Sequence, residues 1–259
     1  MKKVLALILM VLTIVSFSGC RTTVDALKYY KENAELARRL ENGVTVVLEP
    51  DVEDLSTVTK EQLNAAIDIL ETRLYNIHCD DVLLSIGDGN KIKVVIPEND
   101  GAQPDAAELI DLISKRAVLE FRYVYTEPDE NDELRYAVAM EGTGEYIAGA
   151  KISFGPIDTR GGSQYYVSLT FTNAGREAFK KATENVVNGT YNGEKIENII
   201  AIVLDDELIS APSVSTVIDS TDCIVHGSFN EASARKLADL IDSGRMPFGF
   251  KNVEIAEAE

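Results

Sequence analysis

The chain has 259 residues with a formal net charge of −18 at pH 7, and 45% of its residues are hydrophobic while 26% are charged. This composition is typical of a globular protein with enough apolar residues for a core, and the length allows one or two domains. The acidic charge argues against nucleic acid and against docking on anionic lipid, because both are bound through basic surfaces.

The first twenty residues have the pattern of a secretion signal. Lys2 and Lys3 precede an apolar run, and Ser18 and Gly19 precede Cys20, an ending that resembles a bacterial lipobox. We therefore expect a signal peptide over 1–19, lipidation of Cys20, and attachment to the extracytoplasmic side of the cell membrane. An uncleaved N-terminal anchor helix is the alternative. Residues 20–41 are polar and helix-prone, which predicts a helical spacer.

The next stretch predicts the element order β-α-β-β-α-β. GVTVVLEP is a strand, Thr59 with Gln62 has the spacing of a capping box before a helix, and two β-rich runs flank the turn at 87–90. PDAAELIDLISKRA predicts a second helix and VLEFRYVY another strand. This order is that of the ferredoxin-like split unit, an antiparallel sheet with helices on one face.

The acidic, proline-containing stretch at 126–133 is the clearest boundary signal in the chain. Beyond it, two strands flank a turn at 159–162, and NAGREAFKKATENVV predicts a helix whose inward face begins at Ala174. A strand follows, then a helix with Asn230 as N-cap and Gly244 after its end. FGFKNVEIAE is a final strand that could return to the first sheet. The pattern predicts an α+β protein in two lobes.

The stretch IAIVLDDELISAPSV predicts a hairpin with Asp205 and Asp206 in its turn, because Asp tolerates the positive φ of such turns. Two carboxylates could also serve an active site. However, catalytic pairs face each other across a substrate from separate elements, whereas consecutive turn residues diverge into solvent. We therefore interpret the pair as a turn.

The remaining motifs give no indication of chemistry. The chain has no GxSxG elbow, no Walker glycine loop and no HExxH. Cys79 and Cys223 could form a disulfide outside the cytoplasm, or remain separate thiols. With two histidines and no metal-ligand spacing, we expect no metal, no cofactor and no enzymatic activity.

Several motifs, in order along the chain, resemble the SecD family, an accessory subunit of the Sec preprotein translocase. The hairpin IAIVLDDELISAPSV is similar to the family pattern LAIVLDGxVxSAPVI, and AVLEFRYV is similar to its A-LEFR strand. VSLTFTNAGREAFKKAT resembles FTxxGAxxFxxxT, and IVHGSFNEASARKLADLIDSGRMPFGF resembles ITGxFTxxEAxxLAxxLRxGALPAPL. ILETRLYNI with DGNKIKVVIPE resembles a further family segment.

The resemblance implies the first extracytoplasmic domain of SecD, with a ferredoxin-like base and an inserted α+β head. It places the base at 42–125 with the final strand at 247–256, and the head at 126–246. Whole SecD proteins continue into further membrane helices, which this sequence does not show before Glu259. We therefore expect a stand-alone, lipid-anchored SecD-like domain.

The function implied is assistance to protein export, by binding translocating or unfolded chains or components of the Sec translocon. Candidate client-binding residues lie in the head strands and after the hairpin: Phe154, Tyr165, Tyr166, Phe171, Ser210, Ala211 and Pro212. Core packing or cross-strand pairing is the alternative role for the aromatic residues. The alternative function is that of an envelope ligand-binding or structural lipoprotein that reuses the scaffold.

Overall fold

The computed structural model describes residues 38–40, 42–79, 81–98, 106–141, 145–157 and 162–257. They form two compact units, the first within Met1–Arg116 and Met246–Glu259, the second from Ala117 to Arg245. No helix within these ranges is long and apolar enough to cross a membrane. The predicted signal peptide, Cys20 and most of the predicted spacer lie outside the described residues.

The helices are α1 (Lys60–Asn76), α2 (Ala106–Ser114), α3 (Asn173–Asn188) and α4 (Glu231–Asp242). The strands before α3 are β1 (Val44–Pro50), β2 (Leu83–Ile86), β3 (Ile92–Ile96), β4 (Leu119–Tyr125), β5 (Tyr136–Glu141), β6 (Ile147–Pro156) and β7 (Ser163–Phe171). The strands after it are β8 (Thr190–Tyr191), β9 (Glu194–Leu204), β10 (Glu207–Ser210), β11 (Asp222–His226) and β12 (Phe250–Glu257).

The first unit is a ferredoxin-like fold. Its sheet has the order β12-β1-β3-β2, and every neighbouring pair is antiparallel. The chain order is β1-α1-β2-β3-α2-β12, so a split β-α-β-β-α-β unit is present, with β12 in the place that the prediction gave to the strand at 119–125. The last strand of the unit is β12, because β1 pairs with it on the side away from β3. The predicted strand at 119–125 belongs to the other unit.

The core of the first unit lies between this sheet and its two helices. Helix α1 begins with the predicted capping box, in which Thr59 Oγ1 accepts the N–H of Gln62 and the Gln62 side chain accepts the N–H of Thr59. Its inward face includes Leu63 and Leu70, which are fully buried against β1 and β3 residues. Arg73 is also buried, and its Nη1 donates to the carbonyl of Leu112 at 3.2 Å, near the end of α2.

The end of the predicted spacer is part of the folded unit. Residues 38–40 are helical, and Leu40 is buried. Arg39 forms an ion pair with Asp81 at 3.1 Å and donates from Nε to the carbonyl of Glu98 at 3.0 Å. The described end of the predicted helical spacer is therefore helical and packs as part of the first unit.

The second unit contains two sheets. In one, the strand order is β10-β9-β4-β5, with β8 beside β9, and in the other it is β11-β7-β6. Its core includes a cluster of aromatic rings, in which Phe121 lies 5.9 Å from Phe171 and 5.4 Å from Phe179 between ring centroids. All three are buried. Aromatic pairs at these distances add to the stabilisation that comes from burial alone.

The predicted helix at α3 is present, but its inward face differs by one residue. Gly175 is buried and the neighbouring Ala174 is exposed. A Cβ atom at Gly175 would lie 2.2 Å from the carbonyl oxygen of Tyr146, so only glycine permits this approach of helix and chain. The assignment of Ala174 to the inward face is therefore wrong.

The chain leaves the first unit after Arg116 and returns at Met246. The N–H of Met246 donates to the carbonyl of Arg116 at 2.8 Å, which joins the two segments where they leave the fold. The division lies nearer the N-terminus than the acidic break at 126–133, because β4 pairs with β9 and β5 within the second unit. The acidic break is instead the connection between β4 and β5.

Candidate functional site

Strand β6 is an edge of the three-stranded sheet and forms a regular hairpin with β7. Its register runs without irregularity from Gly149, opposite Thr170, to Pro156, opposite Ser163. An edge strand presents one row of main-chain groups that its sheet does not use, which is a template for pairing with a further chain. Four of the predicted site residues lie in β6 and β7, so we take this hairpin as the candidate site.

The outward row of β6 can be assigned from one contact. The N–H of Ala150 donates to Asp242 Oδ1 at 3.0 Å, so it points away from β7. Because main-chain groups alternate along a strand, those of Ile152 and Phe154 point outward too. Within the described ranges, neither of these two N–H groups donates a hydrogen bond. Pro156 follows at the same side and has no N–H to offer.

Phe154 lies in this outward row, and its side chain is exposed to solvent. The residue is 62% exposed, and its ring centroid lies 4.8 Å from that of Tyr165, its cross-strand partner on β7. Single exposed apolar residues are common, but an aromatic residue on an unpaired edge offers both main-chain groups and a ring to an incoming segment.

Tyr165 is fixed by the first turn of α4. Its hydroxyl donates to Glu231 at 3.1 Å, and Arg235 donates to the other oxygen of Glu231 at 2.9 Å. The hydrogen bond to Glu231 raises the pKa of Tyr165, while the hydrogen bond from Arg235, followed by that from Tyr165, lowers the pKa of Glu231. The Glu231 carboxylate beside the site is therefore already paired with Arg235.

The structure separates the four predicted aromatic residues. Phe154 and Tyr165 are cross-strand partners on one face of the sheet, and Tyr166 lies on the opposite face because side chains alternate along a strand. Phe171 is 2% exposed and belongs to the aromatic core with Phe121 and Phe179. The expectation that Phe171 binds a client is corrected, since its ring has no accessible surface to offer.

The predicted segment after the hairpin lies near the far edge of the same sheet. Ser210 Oγ donates to the carbonyl of His226 on β11 at 2.6 Å, and the register places His226 opposite Tyr166. The carbonyl of Pro212 accepts the N–H of Ile200 at 3.2 Å, while Ala211 is exposed. Ser210 and Pro212 thus hold β9, β10 and β11 together, and they do not adjoin the open row of β6.

The hairpin turn itself is as predicted, with φ of 49° at Asp205 and 65° at Asp206. Neither carboxylate simply diverges into solvent, however. Asp205 accepts the N–H groups of Ala117 and Val118, at 3.1 and 2.9 Å. Asp206 pairs with Arg122 at 2.8 Å. The two carboxylates thus have structural partners in β4 and the segment before it, which agrees with the interpretation of the pair as a turn.

Cys79 and Cys223 are not joined by a disulfide. Cys79 is buried in the core of the first unit, whereas Cys223 belongs to the second. Cys223 keeps some exposure as a residue, but its partner in the register is the buried Leu169, so its thiol lies on the covered face. This burial raises the pKa of the Cys223 thiol to about 12. Among the described residues, no group of three or more His, Cys, Asp or Glu side chains could hold a metal ion.

The two residues that delimit the outward row of β6 were not among the predicted site residues. Pro156 could have been found, because a proline within a strand-like run is typical of an edge strand. Asp242 could not, since its contact with Ala150 spans 92 residues of sequence and nothing in the pattern of α4 distinguishes it from a solvent-facing acid.

Comparison with known proteins agrees with the resemblance found in the motifs. Residues 122–248 match the family described as SecDF, P1 head subdomain. The protein translocase subunit SecDF of Thermus thermophilus is 30% identical over 240 residues, covering 83% of this chain and 30% of the relative. The protein translocase subunit SecD of Leptotrichia buccalis is 28% identical over 232 residues, covering 89% of this chain and 50% of the relative.

Solved structures give the same result. A crystal structure of SecDF in a super-membrane-facing form superposes with a TM-score of 0.65 at 28% identity, covering 82% of this chain and 30% of the other. A structure described as a membrane component SecDF that enhances protein export gives a TM-score of 0.63 at 28% identity, covering 81% and 97%. The resemblance to a SecD extracytoplasmic domain and the α+β fold are confirmed. The chain spans half or less of the length of these two curated relatives.

Proposed function

Because residues 122–248 match the SecDF P1 head subdomain and SecD relatives align with most of the chain, we propose that this protein assists export by binding extended segments of exported polypeptides. The single observation that carries the proposal is the open edge of β6 with the exposed Phe154 beside it. Binding of this kind requires no catalysis and no cofactor.

The physical basis is the addition of a strand to an edge. Main-chain hydrogen bonds supply affinity without regard to sequence, and neighbouring side chains supply preference. An export factor meets many different chains, so a site that recognises the backbone suits that task. The Phe154 ring, supported by Tyr165, adds an apolar contact for one side chain of the segment. The proposed site does not include the other predicted residues, which are Tyr166, Ser210, Ala211 and Pro212.

The same proposal includes the location of the protein. The sequence pattern that ends at Cys20 supports attachment by a lipid at the extracytoplasmic surface, where exported chains emerge in an unfolded state. The acidic surface would keep the domain away from anionic headgroups, so that the head stays accessible. Components of the Sec translocon are the partners that would bring chains to it.

A crosslinking experiment in cells tests the proposal. A photoreactive phenylalanine analogue is placed at 154 of the full, membrane-attached chain, and the captured proteins are identified by mass spectrometry. The matched control is the analogue at Val187, which is 45% exposed on α3 and outside the hairpin. We expect exported proteins and translocon subunits to be captured from 154 and not from 187.

Two outcomes would contradict the proposal. Equal capture of exported chains from both positions would mean that the β6 edge is not the site. Recovery of one solute transporter or cell-wall enzyme in place of exported chains would mean that the scaffold serves another purpose in the envelope, as the alternative function states.

A further inference from the structure

We infer that the β6 edge binds its segment in one fixed frame, set by Asp242 and Pro156, in which only Ile152 and Phe154 exchange both main-chain hydrogen bonds with the segment. This inference rests on the proposed function and specifies which polypeptide segments the site accepts. It depends on which outward main-chain groups of β6 are already used.

At both ends of this edge, no main-chain N–H is available to an added segment. At one end, the N–H of Ala150 is taken by Asp242 at 3.0 Å. At the other end, Pro156 has no N–H. Two outward donors remain between them, at Ile152 and Phe154, and within the described ranges neither has a partner.

The acceptors on the same edge remain open. In an antiparallel ladder, the N–H and C=O of a residue point to the same side, so the carbonyls of Ala150, Ile152, Phe154 and Pro156 face outward. None of them has a hydrogen bond within the described ranges. The row therefore offers four acceptors against two donors, so only Ile152 and Phe154 can exchange both main-chain hydrogen bonds with an added segment.

This imbalance selects the kind of segment that binds. A proline at any donor position of the segment would leave a carbonyl of β6 unmatched, and an unsatisfied main-chain group is costly. A slip of the segment by two residues towards Ala150 would place its carbonyl against the Asp242 carboxylate, where two acceptors meet. The site thus prefers a short, proline-free, extended segment centred on Ile152 and Phe154.

Asp242 is a positioning residue in this scheme, and its role can be separated from fold stability. In Asp242→Ala, the N–H of Ala150 becomes available, so the edge gains a third donor. In Asp242→Asn, the amide oxygen can still accept that N–H, so the edge stays as in the wild type. Asp242 lies in the last turn of α4, where neither change removes an apolar core contact.

The experiment follows amide exchange in the ¹⁵N-labelled protein with an unlabelled synthetic peptide of alternating valine and threonine with a lysine at each end. In the wild type and in Asp242→Asn, we expect the amides of Ile152 and Phe154 to become protected on addition of peptide, while Ala150 is protected before and after. In Asp242→Ala, Ala150 should exchange rapidly alone and become protected with peptide.

A second readout uses the peptide itself. N-methylation of one of the alternate amides that face β6 should weaken binding about fivefold or more, since one hydrogen bond is lost, whereas N-methylation of the amides between them should leave the affinity unchanged.

The outcomes distinguish failure of the proposed function from failure of the fixed frame. If the wild type shows neither binding nor a change in exchange, the proposed function fails. If the peptide binds but Ile152 and Phe154 stay unprotected, or if Ala150 behaves alike in Asp242→Ala and Asp242→Asn, the fixed frame is overturned while binding stands.

Discussion

The carboxylate of Asp205 accepts the backbone N–H of Val118 at 2.9 Å, across 87 residues of sequence. Its second oxygen accepts the N–H of Ala117 at 3.1 Å, a residue with a φ of 58°. The hairpin turn between β9 and β10 therefore fixes the start of β4, where the chain enters the second unit. The sequence indicates only that the chain reverses direction at this turn. In the structure, the turn also accepts two main-chain N–H groups that have no other partner among the described residues.

We predict that Asp205→Ala destabilises the protein by about 1–3 kcal/mol, because two N–H groups lose a charged acceptor. Asp206→Ala is the matched control. It places alanine in the same left-handed turn but removes only an ion pair whose carboxylate is 88% exposed, and such pairs contribute little. The measurement is chemical unfolding of both variants. Equal losses would show that the strain of alanine in the turn, and not the hydrogen bonds, sets the cost.

Thr183 offers a second test within α3. Its side chain is fully buried, and Oγ1 accepts the N–H of Ile218 at 3.0 Å while donating to the carbonyl of Lys180 at 2.9 Å. We predict that Thr183→Val destabilises by about 1–3 kcal/mol, since the Ile218 N–H is left unsatisfied.

Amide exchange distinguishes this cause from a simple packing defect. Thr183→Ser keeps the hydroxyl and loses only a methyl group, so the Ile218 amide should stay protected there and exchange faster in Thr183→Val. Slow exchange at Ile218 in both variants would contradict the assigned bond.

The ion pairs of Asp219 predict a pH dependence of stability. Hydrogen bonds from Lys180 and then Arg176 lower the pKa of Asp219, and the distance to Lys180 Nζ is 3.0 Å. A carboxyl with a lowered folded pKa stabilises the fold above its unfolded pKa, and this stabilisation is lost as the pH falls through the folded value. The denaturant concentration at the unfolding midpoint should therefore decrease as the pH is lowered below about 4. This decrease should be less steep in Asp219→Asn. Parallel pH profiles for the two proteins would refute the assignment.

Cys223 should be an unreactive thiol in the folded protein. With its pKa raised to about 12, its thiolate fraction at pH 8 is lower than that of a free cysteine by a factor on the order of a thousand. We expect alkylation by iodoacetamide at Cys223, followed by peptide mapping, to be slow in the native state and fast in denaturant. Rapid native labelling would show that the thiol is not on the covered face of the sheet.

Much of the fold could be predicted from local patterns. The capping residues Thr59 and Asn230 and the turn at Asp205 and Asp206 act over a few residues, so the sequence shows them directly. The order of the elements from β1 to α2 also follows from local patterns. Helix α4 buries the expected face through Ala234, Leu237, Ala238 and Ile241.

The structure differs from the sequence-based predictions where segments that are distant in sequence come into contact. Gly175 is buried because it touches Tyr146, and a hydrophobic pattern assigns no inward preference to glycine. The strand at 119–125 has the right composition for either sheet, and only its pairing with β9 decides the matter. The candidate site followed the same rule: Phe154 and Tyr165 came from composition, whereas Asp242 became visible only through its contact with Ala150.

The hydrogen bond between Met246 and Arg116 has a consequence for how such proteins could diversify. Because the chain departs and returns at adjacent positions, residues 117–245 form an insert whose two ends leave the base side by side. Recombination at these two points would exchange one insert for another while every strand pair of the ferredoxin-like sheet keeps its register. A lineage could thus replace the second unit without changing the first, and a chimera that carries the insert of a SecD relative should fold.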